Sequence, residues 1–297
     1  MQTEAQNPRS MKIDEYSTLE MLQVMNDEDA GVALAVRNAL PEIAEAVEAI
    51  AANFQRGGRL IYIGAGTSGR LGVLDAVECV PTFSTDPEMV VGLIAGGEKA
   101  LTEAVEGAED SPEKGRQDLL DLALSEVDTV VGIAASGRTP YVLGGIEMAN
   151  EIGATTVGVA CNVPCALLDL AQIKIGLAVG AEIITGSTRL KAGTAQKMVL
   201  NMLSTGSMVR RGKVYGNLMV DVRVTNAKLQ DRAQRIVMQV VRVDQGQAGE
   251  LLAQAGNEVK TAIVMGVKNV GVDEARELLR VAEGQLRVVI GERTEPS

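Results

Sequence analysis

The chain has 297 residues, of which 46% are hydrophobic and 23% charged, the mix of one large globular domain or of one domain with a small appendage. Its 28 Lys and Arg against 39 Asp and Glu leave a net charge of −11, which repels phosphate backbones and argues against a nucleic-acid partner. No apolar run reaches the ~18 residues a membrane helix needs, and the N-terminus has no apolar leader core, so a cytoplasmic chain without a membrane partner is expected.

Absences narrow the chemistry. There is no His, which removes Ser-His-Asp and Cys-His catalysis and His-ligated zinc. Without Trp and with only two Phe, stacking platforms for bases are not expected. The three Cys (Cys79, Cys161, Cys165) are too few for a four-ligand zinc site and suit a reducing compartment. No metal site is predicted. Proton transfer is left to carboxylates, Lys, Tyr or Cys.

In chain order, Ser17 offers a cap ahead of apolar Leu19, Met21, Leu22 and Met25, which predicts a first helix. Ile43, Ala44, Val47, Ile50 and Ala51 predict a second over about Pro41 to Asn53, ended by Gly57-Gly58. Short β-branched runs then follow at Leu60–Ile63, Val90–Ile94, Thr129–Ile133, Thr156–Val159 and Ile173–Leu177. Most are continuous rather than alternating, as in strands covered on both faces. Helical patterns separate them at Leu71–Val77, Ala100–Glu106, Pro140–Ile152 and Pro164–Leu170. The alternation predicts an α/β fold, a parallel sheet between two helix layers, with ligands bound beyond the carboxyl ends of the strands. Lys191 to Arg211 reads as helix, and the tail from about Thr225 as several short helices. The expected division is therefore a catalytic domain over 1–225 and a small helical subdomain over 226–297.

Three loops carry candidate chemistry. Gly64-Ala65-Gly66-Thr67-Ser68-Gly69-Arg70 follows a strand and opens a helix. Its glycines allow close approach, Thr67 and Ser68 add hydroxyls, and the helix start adds partial positive charge, a phosphate-binding pattern that a plain tight turn matches equally well. No acidic residue ends the next strand, which disfavours a dinucleotide site. Ala134-Ala135-Ser136-Gly137-Arg138-Thr139-Pro140 repeats the arrangement, with Thr139 at the N-cap and Pro140 at the first helical position. Ser136 and Thr139 point to one phosphate; alternatively Thr139 only caps its helix. The third stretch, Val179 to Lys191, is rich in small polar residues and ends in two cations. Two acidic groups remain. Asp75 and Glu78 share a helix face, and the apolar Cys79-Val80-Pro81 beside Glu78 is a setting that raises a carboxyl pKa. Glu106, Glu109 and Asp110 form the other.

Together these stretches resemble the N-acetylmuramic acid 6-phosphate etherases of the sugar isomerase (SIS) fold. The resemblance runs nearly unbroken from Ser17 to Asn226 and rests on Leu60 to Phe83, Val91 to Gly97, Ala104 to Ser111, Val131 to Tyr141 and Gly180 to Lys197. Val80 and Val77 depart from it, where Pro and often Ser are usual. The resemblance implies a three-layer αβα sandwich on a five-stranded, flavodoxin-type parallel sheet, with a small C-terminal helical subdomain. It implies a cofactor-independent lyase that cleaves the D-lactyl ether of a sugar phosphate, and a homodimer. Carried over by motif position, Glu78 donates a proton to the leaving lactate, and the second catalytic carboxylate lies in Glu109-Asp110, with Glu109 favoured and Asp110 its rival. Thr67, Ser68, Ser136, Gly137 and Thr139 belong to the phosphate loops, and Glu182 and Lys191 are placed against sugar hydroxyls. A non-catalytic sugar-phosphate sensor and an aldose–ketose isomerase are the alternatives. A sensor of the glucokinase regulatory type is longer and paired in domains, and such isomerases often open the ring with His.

Overall fold

The computed structural model of the chain describes residues 2–222 and 227–291. The expected boundary at residues 225 and 226, and the last residues of the Ser17–Asn226 resemblance, touch positions outside that range. The chain forms two compact units, Met1–Val77 with Pro87–Gly206, and Glu78–Asp86 with Ser207–Ser297.

The first unit opens with helices α1 (Thr18–Asp29), α2 (Val32–Asn38) and α3 (Leu40–Gln55). Ser17 starts α1 as expected, because its hydroxyl accepts from Glu20 N and the Glu20 carboxylate accepts from Ser17 N, satisfying two orphan donors at once. Strands and helices then alternate: β1 (Leu60–Gly64), α4 (Gly66–Phe83), β2 (Val90–Ile94), α5 (Lys99–Thr102), α6 (Pro112–Asp121), β3 (Thr129–Ile133), α7 (Pro140–Ile152), β4 (Thr155–Ala160), α8 (Ala166–Leu170), β5 (Ile173–Gly176) and α9 (Lys191–Arg210). All five strands are parallel, in the order β2-β1-β3-β4-β5. This is the α/β, flavodoxin-type sandwich that the sequence predicts.

Continuous apolar strands are what this sheet requires, since β1 and β3 are buried at every residue. Ile61, Ile63 and Val130 point to one face, where they pack with Leu119 of α6, Tyr141, Val142 and Ile146 of α7 and Leu167 of α8. Tyr62 points to the other, where its hydroxyl donates to Asp75 of α4 at 2.8 Å. Asn201 Nδ2 and Ser204 Oγ of α9 donate to the second Asp75 oxygen, at 2.8 and 3.2 Å. Asp75 is therefore a buried structural carboxylate that ties two helices to β1.

Two expectations need correction. The helix anticipated over Ala100–Glu106 stops at Thr102, and Glu103 is extended. Arg70 explains this: Nε donates to Leu101 O and a terminal nitrogen to Glu103 O, holding the carbonyls a longer helix would turn along its own axis. In its place α6, which was not anticipated, starts behind a Ser111 cap that accepts from Lys114 N. Helix α4 is also longer than the predicted Leu71–Val77, because the glycine-rich loop is already helical from Gly66.

Among the described residues, the second unit takes in the ends of α4 and α9, a ribbon of β6 (Val214–Tyr215) and β7 (Leu218–Met219), a π-helical turn over Met238–Arg242, and the helices α10 (Ala227–Val237), α11 (Gln245–Gln254), α12 (Val259–Lys268), α13 (Val272–Val281) and α14 (Leu286–Ile290). Val220, Ile236, Leu252, Ile263, Leu279 and Leu286 are among its core residues.

At the amino ends of the strands, Asp128 accepts from Arg59 N, Arg59 Nε and a terminal Arg59 nitrogen, and from Ser125 N and Oγ. Arg59 and Asp128 immediately precede the paired residues Leu60 and Thr129, so this pair sets the β1–β3 register. Burial pushes the Asp128 carboxyl up, but the hydrogen bonds from Arg59 and Ser125 outweigh it and hold it below 3.8. A carboxyl lowered on folding adds stability that is complete above its unfolded value and is lost as pH falls through the folded one. Asp128→Ala should cost about 3 kcal/mol at neutral pH, since it strands a half-buried guanidinium. The difference from the parent in denaturant titrations should shrink below pH 3.8.

Candidate active site

The strand order reverses at β1, whose neighbours are β2 on one side and β3 on the other. In open parallel sheets such a reversal leaves a crevice beyond the carboxyl ends of the strands. Gly64 pairs with both Ile94 and Ile133, so the loops after β1, β2 and β3 leave the sheet together. The β1 loop turns to α4 on one face and the β3 loop to α7 on the other. Each brings a helix N-terminus, with its unpaired N–H groups and partial positive charge, to the lip of the crevice.

A cavity of about 330 Å³ opens here, floored by Ala65 and Gly66 and walled by the segment from Glu103 to Glu109. Arg70 also lines it, and its two hydrogen bonds to Leu101 and Glu103 carbonyls shape that wall. Glu106 and Glu109 line the cavity. Of the adjacent pair, Glu109 faces this space and Asp110 is not among its lining residues, although both are exposed on the same short turn, Ala108–Asp110. Gly107, at φ +68°, sets that turn in the left-handed region.

The β3 loop is held from below. Gly137 has φ +67°, and a Cβ there would overlap Cys165, so only glycine fits. Gly137 N donates to Ala134 O at 3.0 Å, and Gly137 O accepts from Leu167 N at 3.0 Å. Ser136 is half-buried and accepts from Arg138 N at 3.2 Å. Thr139 occupies the N-cap of α7, but its side chain makes no capping bond. The hydroxyl therefore does not serve its own helix.

Other nucleophiles near these loops are quiet. Burial pushes the Cys161 thiol up to about 12, with the Glu182 charge adding to it, and burial also raises Cys165. Both stay protonated at neutral pH, which removes their nucleophilicity. Tyr141 donates to Asp118 at 2.6 Å, and burial followed by that bond pushes its phenol far above the ordinary value. Among the described residues that line the crevice, the titratable groups besides Arg70 are the carboxylates of Glu103, Glu106 and Glu109.

A larger cavity, about 520 Å³, lies in the helical unit among Asp221, Glu258, Lys260 and Arg276. Its cations are paired, Lys260 with Asp221, which Lys213 also meets, and Arg276 with Glu258. It lacks the loop-and-carboxylate arrangement of the strand-end cavity.

A family model described as the glucokinase regulatory protein N-terminal SIS domain matches residues 42–150. The N-acetylmuramic acid 6-phosphate etherase of Pasteurella multocida is 59% identical over 282 residues, 95% of this chain and 94% of its own. The chain belongs to the N-acetylmuramic acid 6-phosphate etherase family. The etherase of Rhodopirellula baltica is similar over 99% of this chain and 97% of its own, at 56% identity. A phosphoheptose isomerase from Francisella tularensis shares the fold, at a TM-score of 0.53 and 16% identity, over 65% of this chain and 100% of its own. A phosphosugar isomerase from Bacteroides fragilis, described as putative, does so at 0.51 and 21%, over 65% of this chain and 91% of its own.

Within this etherase-family chain several expected site residues are placed otherwise than anticipated. Glu182 is fully buried, and its carboxylate accepts from Lys191 N at 3.0 Å and Ala192 N at 2.9 Å, so it caps α9 and does not present itself to a sugar. Lys191 is 3% exposed, and its ammonium meets Glu28 of α1 at 2.6 Å. Ser68 is buried and donates to Gln196 Oε1 at 2.9 Å, while Thr67 beside it is half-buried. Glu78 is exposed on α4, so the described residues do not enclose it in the apolar surroundings expected for it. Arg70, which ends the first glycine loop, and Glu106, in the second acidic group, were named in the sequence but given no role; both line the cavity.

Gly137→Ala should raise the Michaelis constant for a phosphorylated sugar at least about tenfold, because the added methyl must displace Cys165 and strain a left-handed residue. Gly57→Ala, at φ +83° with open space around its Cβ position, is the control that carries strain away from the loop and should leave that constant unchanged.

Proposed function

We propose that this protein cleaves the ether joining D-lactate to carbon 3 of N-acetylmuramic acid 6-phosphate, releasing N-acetylglucosamine 6-phosphate and D-lactate. The observation that carries this is the full-length match to etherases at 55–59% identity. The crevice supports it with two hydroxyl-bearing helix starts suited to a phosphate and with Glu109 facing the same strand-end space.

The chemistry follows from the substrate. In the open-chain sugar the carbon 1 aldehyde acidifies the hydrogen on carbon 2, and the ether oxygen on carbon 3 is a β-leaving group. Glu109, ionised, takes the carbon 2 proton. The C3–O bond breaks with its electron pair going to lactate oxygen, which receives a proton from Glu78. Water then adds at carbon 3 of the unsaturated aldehyde and restores the carbon 2 hydrogen. Two carboxylates in opposite protonation states run this without His. Each of these steps is carried by the two carboxylates, water and the substrate's own aldehyde. Ser136 and Thr139, with Thr67 and the first-turn N–H groups of α4, hold the 6-phosphate. Asp110 is the rival base, but Glu109 is favoured because it lines the cavity.

We assign the protein to the cytoplasm as a homodimer. Leu74 and Val77 are 51% and 62% exposed and share a face of α4 with Glu78. A second copy covering that face would supply the apolar setting a proton-donating carboxyl needs. A fully active monomer in sedimentation would overturn this assignment. The tail beyond residue 226 is assigned as a helical subdomain without catalytic groups of its own.

The roles separate in heavy water. Glu78→Gln should exchange the carbon 2 hydrogen for deuterium without releasing lactate. Glu109→Gln should lose exchange and release together, each by ~10²–10⁴. If Asp110→Asn loses both and Glu109→Gln does not, the base is Asp110. Retained lactate release in Glu78→Gln contradicts the assignment of the acid.

A further inference from the structure

The N-terminal arm ahead of α1 is tied down by buried polar side chains. Thr3 is fully buried, and Asn7 and Ser10 are 6% and 7% exposed. All three are polar, and each is bonded to a loop at the carboxyl end of the sheet. Ser10 Oγ donates to Ile183 O at 2.7 Å, and Asn7 Nδ2 donates to Ala181 O at 3.3 Å. Thr3 O accepts from Gly186 N at 3.2 Å. Glu28 of α1 closes the arrangement by accepting from both Asn7 and Lys191.

The tie that reaches the phosphate loop runs through Asn162, in the loop after β4. Asn162 is 3% exposed. Its Nδ2 donates to Thr3 Oγ1 at 2.9 Å and to Ala135 O at 3.1 Å, and its Oδ1 accepts from Thr3 N at 3.3 Å. This pattern fixes the amide orientation, since the flipped form would set NH₂ against an N–H and oxygen against a carbonyl. Ala135 O also accepts from Cys161 N at 3.0 Å. Ala135 directly precedes Ser136. Its peptide is thus clamped by two donors, one of which is itself held by the third residue of the chain.

We propose that Asn162 is a positioning residue for the phosphate-binding loop Ser136–Thr139, and that Thr3 in the N-terminal arm holds it in place. The arm thereby contributes to phosphate affinity without touching the phosphate. A buried amide with every polar group engaged has one orientation, and a loop that hangs from it has its hydroxyls set before substrate arrives. The proposal rests on the phosphate reading of that loop given above.

The test is calorimetric binding of N-acetylglucosamine 6-phosphate to the full chain, with the Michaelis and turnover constants measured beside it. Asn162→Asp is nearly isosteric but turns a carboxylate oxygen onto the Ala135 carbonyl. It should weaken binding and raise the Michaelis constant about tenfold, with turnover changed less than about threefold. Thr3→Val keeps the backbone bonds and removes only the hydroxyl; it should weaken binding by about threefold with a melting temperature lowered by only a few degrees, and it carries the test if Asn162→Asp fails to fold. If the parent protein binds no N-acetylglucosamine 6-phosphate, the phosphate reading fails. If the parent binds it and both folded variants bind equally well, or if turnover falls while affinity holds, the positioning role is overturned.

Discussion

The constraint on which the site depends is the reversal of strand order at β1 in an all-parallel sheet. Because β2 is added on one side of β1 and β3 on the other, the loops after β1 and β3 turn to opposite faces of the sheet. Each must start a helix, and each helix start leaves N–H groups without intrahelical partners. Their partial positive charge collects at one crevice in a chain whose net charge is −11. An anion is thereby attracted locally by backbone that the overall charge would repel.

Much of the surrounding polar chemistry keeps that crevice in shape. Arg70 spends its guanidinium on two carbonyls of the segment carrying Glu106 and Glu109. Glu182 spends both carboxylate oxygens on the first N–H groups of α9. Lys191 and Glu28 neutralise each other beneath the N-terminal arm, where burial pushes the Glu28 carboxyl up but the bonds from Lys191 and Asn7 hold it below its ordinary value. What remains facing the cavity is sparse: glycines, small apolar side chains, one arginine and three glutamates. A sparse site suits an elimination in which the substrate's own aldehyde provides the activation and the protein needs only to hold a phosphate and move protons.

The sheet was legible because buried parallel strands are written as short β-branched runs, and all five fall where those runs are. Helix α6 was missed because it is strongly polar, with only Gly115 and Leu119 buried, so it shows little apolar period. The β6–β7 ribbon is two residues per strand around Gly216-Asn217, a turn cue without enough flanking apolar pattern to be read. In the candidate site, residue type pointed to loops that leave the sheet at its carboxyl end but not to side-chain direction. Glu182, Lys191 and Ser68 lie in those loops and turn inward, which only burial and partners reveal. The Thr3–Asn162 pairing spans 159 residues between two polar side chains, and no periodicity records it.

The most direct measurement of the central claim is a crystal structure of the protein with N-acetylglucosamine 6-phosphate bound. The account predicts the phosphate at the helix starts of the crevice, accepting hydrogen bonds from the Ser136 and Thr139 hydroxyls, with Glu109 on the side of the sugar that carries carbon 2. A sugar bound with its phosphate away from both strand-to-helix loops, and with Glu109 remote from the ring carbons, would contradict it.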